Sequence, residues 1–435
     1  MASIHHRSRP LYRPNTPRAG WGIVPLLMAI SFVSYVNRVS MATAGDTRIM
    51  VQYQISPIRM GQVYSAFLYT YTLCMIPGGL LIDRLGSRAA LLTVALGSSV
   101  FVALTGAIGF TISGGATAFI ALLVVRGLMG IVSAPLYPAC AAAVGRWVPA
   151  GSRTRANGLV NGSALIGVAI TPVVFGALID RVDWPAAFLI AACVTLVLSL
   201  VWYIFAGADR PQPERGDADA GGTENQAEAD SPWWILLKNR SLLLLTLSYG
   251  AVNYFQYLFF YWMNYYFQTV LELPASRSRA YAAIPPLAMA VGMPLGGWLT
   301  DWLEDRFGPR RGRKVVPMAG MLAGAGLLIL GIFARDPAWI VTWFALALGA
   351  VGTAEGAFWV TAIEIGRRRG GSSAAFLNTG GNAGGMLAPA LTPLIGELYG
   401  WGYAVGLGAM ISVLGVLFWL GIEIGENTVE ARMDL

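Results

Sequence analysis

The sequence predicts an all-α polytopic membrane protein with twelve transmembrane helices arranged as two pseudo-symmetric six-helix halves. Three observations lead to this prediction. The chain has 435 residues, of which 56 % are hydrophobic and 12 % are charged, whereas a soluble domain is about 25 % charged. Apolar runs of roughly 20 residues, long enough to cross a bilayer, recur along the whole chain. A loop motif also recurs at a spacing of half the chain, which indicates a duplicated architecture.

Each predicted span is an apolar run between loops that carry charges, glycine or proline. The spans are residues 20–44, 60–82, 89–111, 117–145, 157–180, 184–206, 241–270, 279–301, 315–334, 338–365, 373–397 and 402–424. The predicted organisation is a basic tail at 1–19, an N-terminal half at 20–206, a linker at 207–240, a C-terminal half at 241–424 and a tail at 425–435. The linker is expected to be disordered because residues 207–231 include almost no apolar side chains.

The basic residues predict how the chain is oriented. Of the 30 Lys and Arg residues, 22 fall on the side of the membrane that holds both termini, six fall on the other side, and two lie inside spans. Basic loops stay in the cytoplasm, so we expect a multi-pass protein of the inner (plasma) membrane with both termini cytoplasmic. The net charge of +7 follows from this topology and does not indicate a nucleic-acid partner.

The sequence contains no pattern that indicates an enzyme or a cofactor. Its three cysteines, Cys74, Cys140 and Cys193, all lie in apolar runs, so free thiols are expected in place of a disulfide or a metal site. The two histidines, His5 and His6, lie in the basic tail. No metal, cofactor or catalytic residue is predicted.

The repeated motif lies in the loops after the second and the eighth predicted span. Its first copy reads Gly79-x-x-x-Asp83-Arg84-x-Gly86-x-Arg88, and its second begins Gly297-x-x-x-Asp301 and continues into a basic run. The two aspartates are 218 residues apart. A charged side chain is costly at the centre of a bilayer, so these residues are expected at the membrane surface.

The first copy resembles the loop between the second and third helices of the major facilitator superfamily. Within that superfamily, Tyr35-Val36-Asn37-Arg38 and Arg126-Gly127-Leu128-Met129-Gly130 resemble the first and fourth helices of the anion:cation symporter family. Phe358-Trp359 and residues 378–385 resemble its tenth and eleventh helices. The resemblance implies a monomeric transporter of organic anions such as galactonate, hexuronates or glucarate, working without a cofactor.

Arg38 and Arg126 are the two basic residues inside predicted spans. An ionisable residue within the membrane indicates a functional site, and guanidinium groups bind carboxylates with paired hydrogen bonds. Two such groups facing one cavity favour an anionic substrate. The alternative is that either arginine is a structural partner for a helix end or for backbone carbonyls.

Two residues depart from the family pattern, and both bear on proton coupling. Asn37 and Ser133 occupy positions where the family commonly has Asp and Glu, and neither side chain titrates. Glu355 lies well inside the tenth span and is the predicted proton-coupling residue, since burial disfavours the charged form of a carboxyl group. The alternatives are a pairing with a buried arginine and a static glutamate that serves helix packing.

Other polar and aromatic residues within the spans complete a predicted substrate site. Asn253, Tyr257 and Tyr261 recur every four residues and therefore share one face of the seventh span. The remaining predicted members are Tyr35, Tyr69, Trp359, Asn378 and Asn382. Polar groups from several spans suit a hydroxylated anion better than a drug-like cation.

These features predict a secondary active transporter that moves a small organic anion, a sugar acid or another carboxylate, by alternating access and proton symport. Asp83, Arg84, Arg88 and Asp301 are predicted to form a latch of cytoplasmic ion pairs in the outward-open state. Three alternatives stay open. They are an uncoupled facilitator or exchanger of the same anion, a transporter of neutral solutes or drugs, and a membrane sensor that binds a solute without moving it.

Overall fold

The computed structural model describes residues 21–149, 152–206, 238–366 and 370–423. The structure does not describe the two predicted tails. It also does not describe residues 207–237 of the predicted linker, so the expected disorder there lies outside the described residues. The first half contains α1 (Val24–Ala44), α2 (Met50–Tyr53), α3 (Pro57–Leu73), α4 (Met75–Thr111), α5 (Gly115–Ser133), α6 (Leu136–Trp147) and α7 (Arg153–Phe205). The second contains α8 (Arg240–Tyr265), α9 (Ala275–Phe307), α10 (Pro309–Phe333), α11 (Pro337–Gly352), α12 (Glu355–Gly366), α13 (Gly370–Gly385), α14 (Ala388–Tyr399) and α15 (Trp401–Leu420).

These helices form twelve spans, and the predicted fold class is confirmed. Helices α4 and α7 each reverse direction at one residue, Gly86 and Asp183, and so contribute to two spans. Spans four, ten and eleven each consist of two helices in series, namely α5 with α6, α11 with α12, and α13 with α14. The first span is longer than predicted, because the π-helix Gly45–Ile49 joins α1 to α2 and carries the span to Tyr53.

The apolar character of the spans is uneven. Nine helical stretches of the described residues are long and apolar enough to cross a membrane, and the longest, Arg155–Phe205, contains spans five and six. Spans two and eleven are not among the nine. Helix α13 shows why, since Gly, Ser, Thr and Asn make up most of its sixteen residues. Such small residues favour close helix packing within a membrane protein.

The sequence repeat is also a repeat of backbone geometry. Gly86 has φ 80° and ψ 166°, and Gly308, at the matching turn of the second half, has φ 82° and ψ 161°. Asp183 and Gly400 form a second matched pair, with φ 62° and 102°. A positive φ is accessible to glycine and is tolerated by aspartate, which explains the residue types at these turns.

The two halves contact each other at one end of the bundle, which we call the triad end. Asp180 at the end of span five accepts hydrogen bonds from Arg279 of α9 and, at 3.3 Å, from Arg48 of the first span. The Ser65 hydroxyl of α3 also bonds across the halves, donating to the Met386 carbonyl at 3.0 Å. Arg48, Asp180 and Arg279 form the triad, which joins span five to span eight of the other half and to span one of its own half. The Ser65 hydrogen bond joins span two to span eleven. The structure is therefore closed at the triad end.

Candidate functional site

Arg38 lies between the two halves inside a cage of aromatic side chains. It is 4 % exposed, and its guanidinium carbon lies 4.9–5.4 Å from the ring centroids of Tyr35, Phe67, Tyr71 and Tyr257. Aromatic faces attract a cation, and this attraction offsets part of the cost of its burial. No carboxylate among the described residues forms an ion pair with Arg38.

The hydrogen bonds of Arg38 leave part of its guanidinium group free for a ligand. Its Nε donates to the Tyr261 hydroxyl at 3.2 Å, and Nη1 donates to the Tyr35 hydroxyl at 3.3 Å. Within the described residues, Nη2 has no hydrogen-bond partner. A buried guanidinium group that lacks an acidic partner and keeps a free donor can bind a carboxylate.

Arg126 is close to Arg38 but has a different set of partners. It is 1 % exposed, its Nη2 donates to the backbone carbonyl of Arg38 at 2.9 Å, and Nη1 faces the carbonyl of Asn37 at 3.4 Å. Its guanidinium carbon also lies 4.9 Å from the ring centroid of Phe67. These contacts fit the structural alternative, in which Arg126 holds the first span in place and adds positive charge beside the site.

Helix α8 connects the arginine cage to the other predicted polar residues. The Tyr257 hydroxyl donates to Asn382 Oδ1 at 2.8 Å, and Asn382 Nδ2 contacts both the carbonyl and the side-chain oxygen of Asn378, at 2.9 and 3.1 Å. Asn253 Nδ2 donates to the Tyr249 carbonyl at 3.0 Å. Tyr257 therefore contacts the cation with its ring and the amides of span eleven with its hydroxyl.

Glu355 forms a second polar group on the same helix. Its carboxylate accepts hydrogen bonds from the Tyr249 hydroxyl at 2.5 Å and from Trp359 Nε1 at 3.1 Å, and Gln256 Nε2 lies 3.5 Å away. Among the described residues, no Lys or Arg lies within ion-pairing distance, so the alternative of a salt bridge to a buried arginine is not seen. Trp359, a predicted member of the substrate site, therefore also contacts Glu355.

Asn37 and Ser133, the two residues that depart from the family pattern, are neutral side chains, and the structure shows where each one lies. Asn37 Nδ2 donates to Thr195 Oγ1 of span six at 2.8 Å, a neutral contact within the first half. Ser133 is buried at the end of α5. Neither position supplies a carboxyl group that could bind a proton.

One predicted member of the site lies elsewhere, and three members were not predicted. Tyr69 is 40 % exposed on the opposite face of α3 from Phe67 and Tyr71, because two residues correspond to about 200° around a helix. Tyr71 contacts Arg38 instead. Tyr249 and Phe67 also belong to the site and were not predicted. Their four-residue spacings, to Asn253 and to Tyr71 respectively, are the sequence signal that could have found them.

The predicted latch residues lie at the end of the bundle opposite the triad end. Arg84 and Asp301 have exposed side chains, and Arg88 Nη2 donates to the Tyr203 carbonyl at 2.8 Å. The side chain of Asp83 is outside what the structure describes. In the second half, Arg313 forms ion pairs with Glu304 and Glu364, which tie α9, α10 and α12 together at this end.

Comparison with known proteins identifies what this chain is similar to. Residues 27–376 match the model of the Major Facilitator Superfamily. A Bacillus subtilis protein named "Probable galactarate/D-glucarate transporter" is 27 % identical over 423 residues, covering 92 % of each chain. An Escherichia coli D-galactonate transporter is 27 % identical over 409 residues, covering 89 % of this chain and 92 % of its own.

A solved structure supports the same fold. It is the inward-facing, unoccupied form of a bacterial homologue of the human lysosomal transporter Spinster. It superimposes with a TM-score of 0.70 at 17 % identity, covering 93 % of this chain and 95 % of its own. The resemblance to organic-anion transporters that the sequence motifs indicated is confirmed by the names of the sequence relatives.

Proposed function

Because the chain belongs to the Major Facilitator Superfamily, we propose that it is a secondary active transporter that carries a small organic anion, a sugar acid or another carboxylate, by alternating access. The observation that carries this proposal is the Arg38 cage. A guanidinium group that is buried without an acidic partner gains most from a ligand that brings a negative charge. The names of the relatives agree with this chemistry, since those transporters carry sugar acids.

The substrate carboxylate binds Arg38 in this proposal, and the rest of the site orients the polyol part. The free Nη2 of Arg38 and the adjacent Nη1 present two donors to one carboxylate. Tyr257, Asn382 and Asn378 supply hydroxyl and amide groups on one side. Trp359 offers an aromatic face to a sugar backbone. Arg126 acts through its charge and through its contacts with the first span.

The proposed coupling ion is the proton, with Glu355 as its site inside the membrane. Tyr249, Trp359 and Gln256 contact the Glu355 carboxylate, and all three are neutral. A carboxyl group that lacks a cationic partner can be neutralised by a proton during transport. Positions 37 and 133 hold Asn and Ser. Glu355 is therefore the carboxyl group available for a proton at the central site, among the described residues.

Uptake by purified protein in liposomes tests the proposed function. The panel consists of labelled galactarate, galactonate and glucuronate, with galactose as a neutral control, each with and without an inward proton gradient. We expect accumulation of at least one acid only with the gradient, and no uptake of galactose. Uptake that equilibrates regardless of the gradient would support the uncoupled facilitator. Binding without uptake would support the sensor.

Replacing Glu355 by Gln in the same assay tests its role. We expect Glu355→Gln to lose gradient-driven accumulation, because the amide keeps the shape and cannot carry a proton. The control is Glu397→Gln, an exposed acid on α14. Accumulation by Glu355→Gln that follows the gradient as in the wild type would exclude Glu355 from coupling.

Alternating access requires that the triad end opens, and the ion pairs there are proposed to oppose this opening. We expect Asp180→Asn to increase the labelling of a cysteine placed at Thr43, which lines a small cavity between the halves at this end. The reagent is a membrane-impermeant maleimide, used on protein that lacks its three native cysteines. The increase should be about two- to fivefold, because a partly exposed ion pair contributes up to ~1 kcal/mol.

The matched control for this experiment is Glu272→Gln, an exposed acid that precedes α9 at the same end. Equal labelling of the wild type and Asp180→Asn would show that the triad does not hold the gate closed.

In the proposed orientation the triad end faces away from the cytoplasm, both termini are cytoplasmic and the protein is a monomer in the inner membrane. The latch of Asp83, Arg84, Arg88 and Asp301 is proposed to close the opposite end in the other state.

A further inference from the structure

We propose that Asp46 is a second proton-binding site, located where the two halves meet, and that the neutral form of Asp46 allows the triad end to close. This inference rests on the proposed transport function and adds to it a residue that controls when the gate closes. Asp46 lies in the π-helix of the first span. It is 6 % exposed, so in this closed state its carboxyl group is shut off from water on the triad side.

The contacts of Asp46 come from both halves of the protein. The Tyr64 hydroxyl of α3 donates to Oδ1 at 3.0 Å, and Asn264 Nδ2 of α8 lies 3.5 Å from Oδ2. The backbone N–H of Tyr265, also on α8, faces the same carboxyl group. Separation of the halves at the triad end therefore removes the α8 contacts and exposes Asp46, whereas closure encloses it.

The charges around Asp46 give no counter-ion for an ionised carboxylate. No Lys or Arg of the described residues forms an ion pair with Asp46, and Arg48, two positions along, is paired with Asp180. Arg126 interacts electrostatically with Tyr64 and forms no ion pair with Asp46. The acid of α14, Glu397, is exposed and interacts with Tyr265, the residue whose backbone N–H faces Asp46. Closing the triad end around a negative Asp46 would bury an unpaired charge, which is costly.

A continuous set of contacts connects Asp46 to the proposed substrate site. Tyr64 contacts Asp46 through its hydroxyl, and its ring lies 5.6 Å from the ring of Tyr261, centroid to centroid. The Tyr261 hydroxyl accepts the hydrogen bond of Arg38 Nε. The ring of Tyr64 also lies 5.5 Å from that of Trp262. A change at Asp46 on gate closure can therefore reach the arginine that binds the anion.

The proton step follows from this arrangement. When the triad end is open, the carboxylate of Asp46 takes a proton from water on that side and becomes a carboxylic acid. The neutral acid keeps its contacts with Tyr64 and Asn264 and can be enclosed without a buried charge. After the opposite end has released the substrate and closed, the halves part at the triad end, Asp46 regains water and the proton returns to the water on that side.

The test is the pH profile of substrate exchange by the reconstituted protein, using whichever sugar acid the wild type accepts. We expect exchange by the wild type to depend on pH, and exchange by Asp46→Asn to depend on it less steeply between about pH 5.5 and 8, since the amide has no proton to bind while Glu355 remains. Glu397→Gln is the matched control and should keep the wild-type profile.

A second variant keeps the proposal testable if Asp46→Asn fails to fold. Tyr64→Phe keeps the ring contacts with Tyr261 and Trp262 and removes the hydroxyl that contacts Asp46. It should move the pH of half-maximal exchange by about one unit, whereas Tyr69→Phe, on the exposed face of α3, should leave it in place.

The outcomes separate this inference from the proposed function. Exchange by Asp46→Asn that follows pH as in the wild type, or no shift in Tyr64→Phe, would overturn the role of Asp46 while transport itself stands. A sodium gradient that drives wild-type accumulation, and that fails only in Asp46→Asn, would replace the proton by a metal cation and also overturn it. Absence of any anion transport by the wild type would instead reject the proposed function.

Discussion

Replacing Arg38 by Ala should lower the uptake of the sugar-acid substrate by about 100-fold or more. Removing one partner of a buried, hydrogen-bonded charge pair costs about 2–5 kcal/mol, and 1.4 kcal/mol corresponds to a factor of ten. Arg38→Lys should be intermediate, because an ammonium group keeps the charge but cannot form the paired hydrogen bonds of a guanidinium group. The measurement is initial uptake by protein in liposomes, with substrate-induced thermal stabilisation as an independent assay of binding.

The control for Arg38 is Arg59, an exposed arginine near the start of α3 whose side chain lies over Phe119. Arg59→Ala should transport at the wild-type rate. Arg38→Ala that keeps both uptake and thermal stabilisation by the anion would show that the carboxylate binds elsewhere. The same result would favour the alternative of a neutral-solute or drug transporter, which predicts indifference to this arginine.

Much of the fold could be predicted from the sequence because the bilayer imposes the same requirement on every span. A run of about 20 apolar residues satisfies it and is visible in one dimension. The repeat of Asp83 at Asp301 indicated the duplication, and the matched backbone at Gly86 and Gly308 agrees with it. The breaks within spans four, ten and eleven were not predicted, since a helix can be interrupted while the run remains apolar.

The candidate site was harder to predict because it depends on which face of each helix points inward. In α3 the aromatic residues Phe67, Tyr69 and Tyr71 alternate, and hydropathy does not distinguish the face toward Arg38 from the exposed face. Asp46 was missed for a different reason. The first span was drawn to end at residue 44, so Asp46 fell in a predicted loop, whereas the π-helix keeps it within the span.

The second large effect is expected from Gly384, where α13 packs against α8. A Cβ atom at position 384 would lie 2.5 Å from the Gly250 carbonyl oxygen and 2.6 Å from its carbonyl carbon. The obstruction is backbone, which cannot turn aside as a side chain can. Gly384→Leu must therefore push spans seven and eleven apart, and with them the Tyr257–Asn382 hydrogen bond. We expect an apparent melting temperature lower by about 5 °C or more, from an overpacking cost of about 3 kcal/mol.

Gly326→Leu is the matched control, because Gly326 lies in helix α10 and, apart from the adjacent backbone of that helix, no described atom lies within 4 Å of its Cβ position. Both variants add the same side chain to a helical glycine, so only the contact differs between them. Gly326→Leu should melt within about 2 °C of the wild type, as expected for a substitution that touches no packed neighbour. Equal melting of the two variants would mean that α8 and α13 are not in close contact in the membrane. It would also remove the contact that places Tyr257 beside Asn382 in the proposed substrate site.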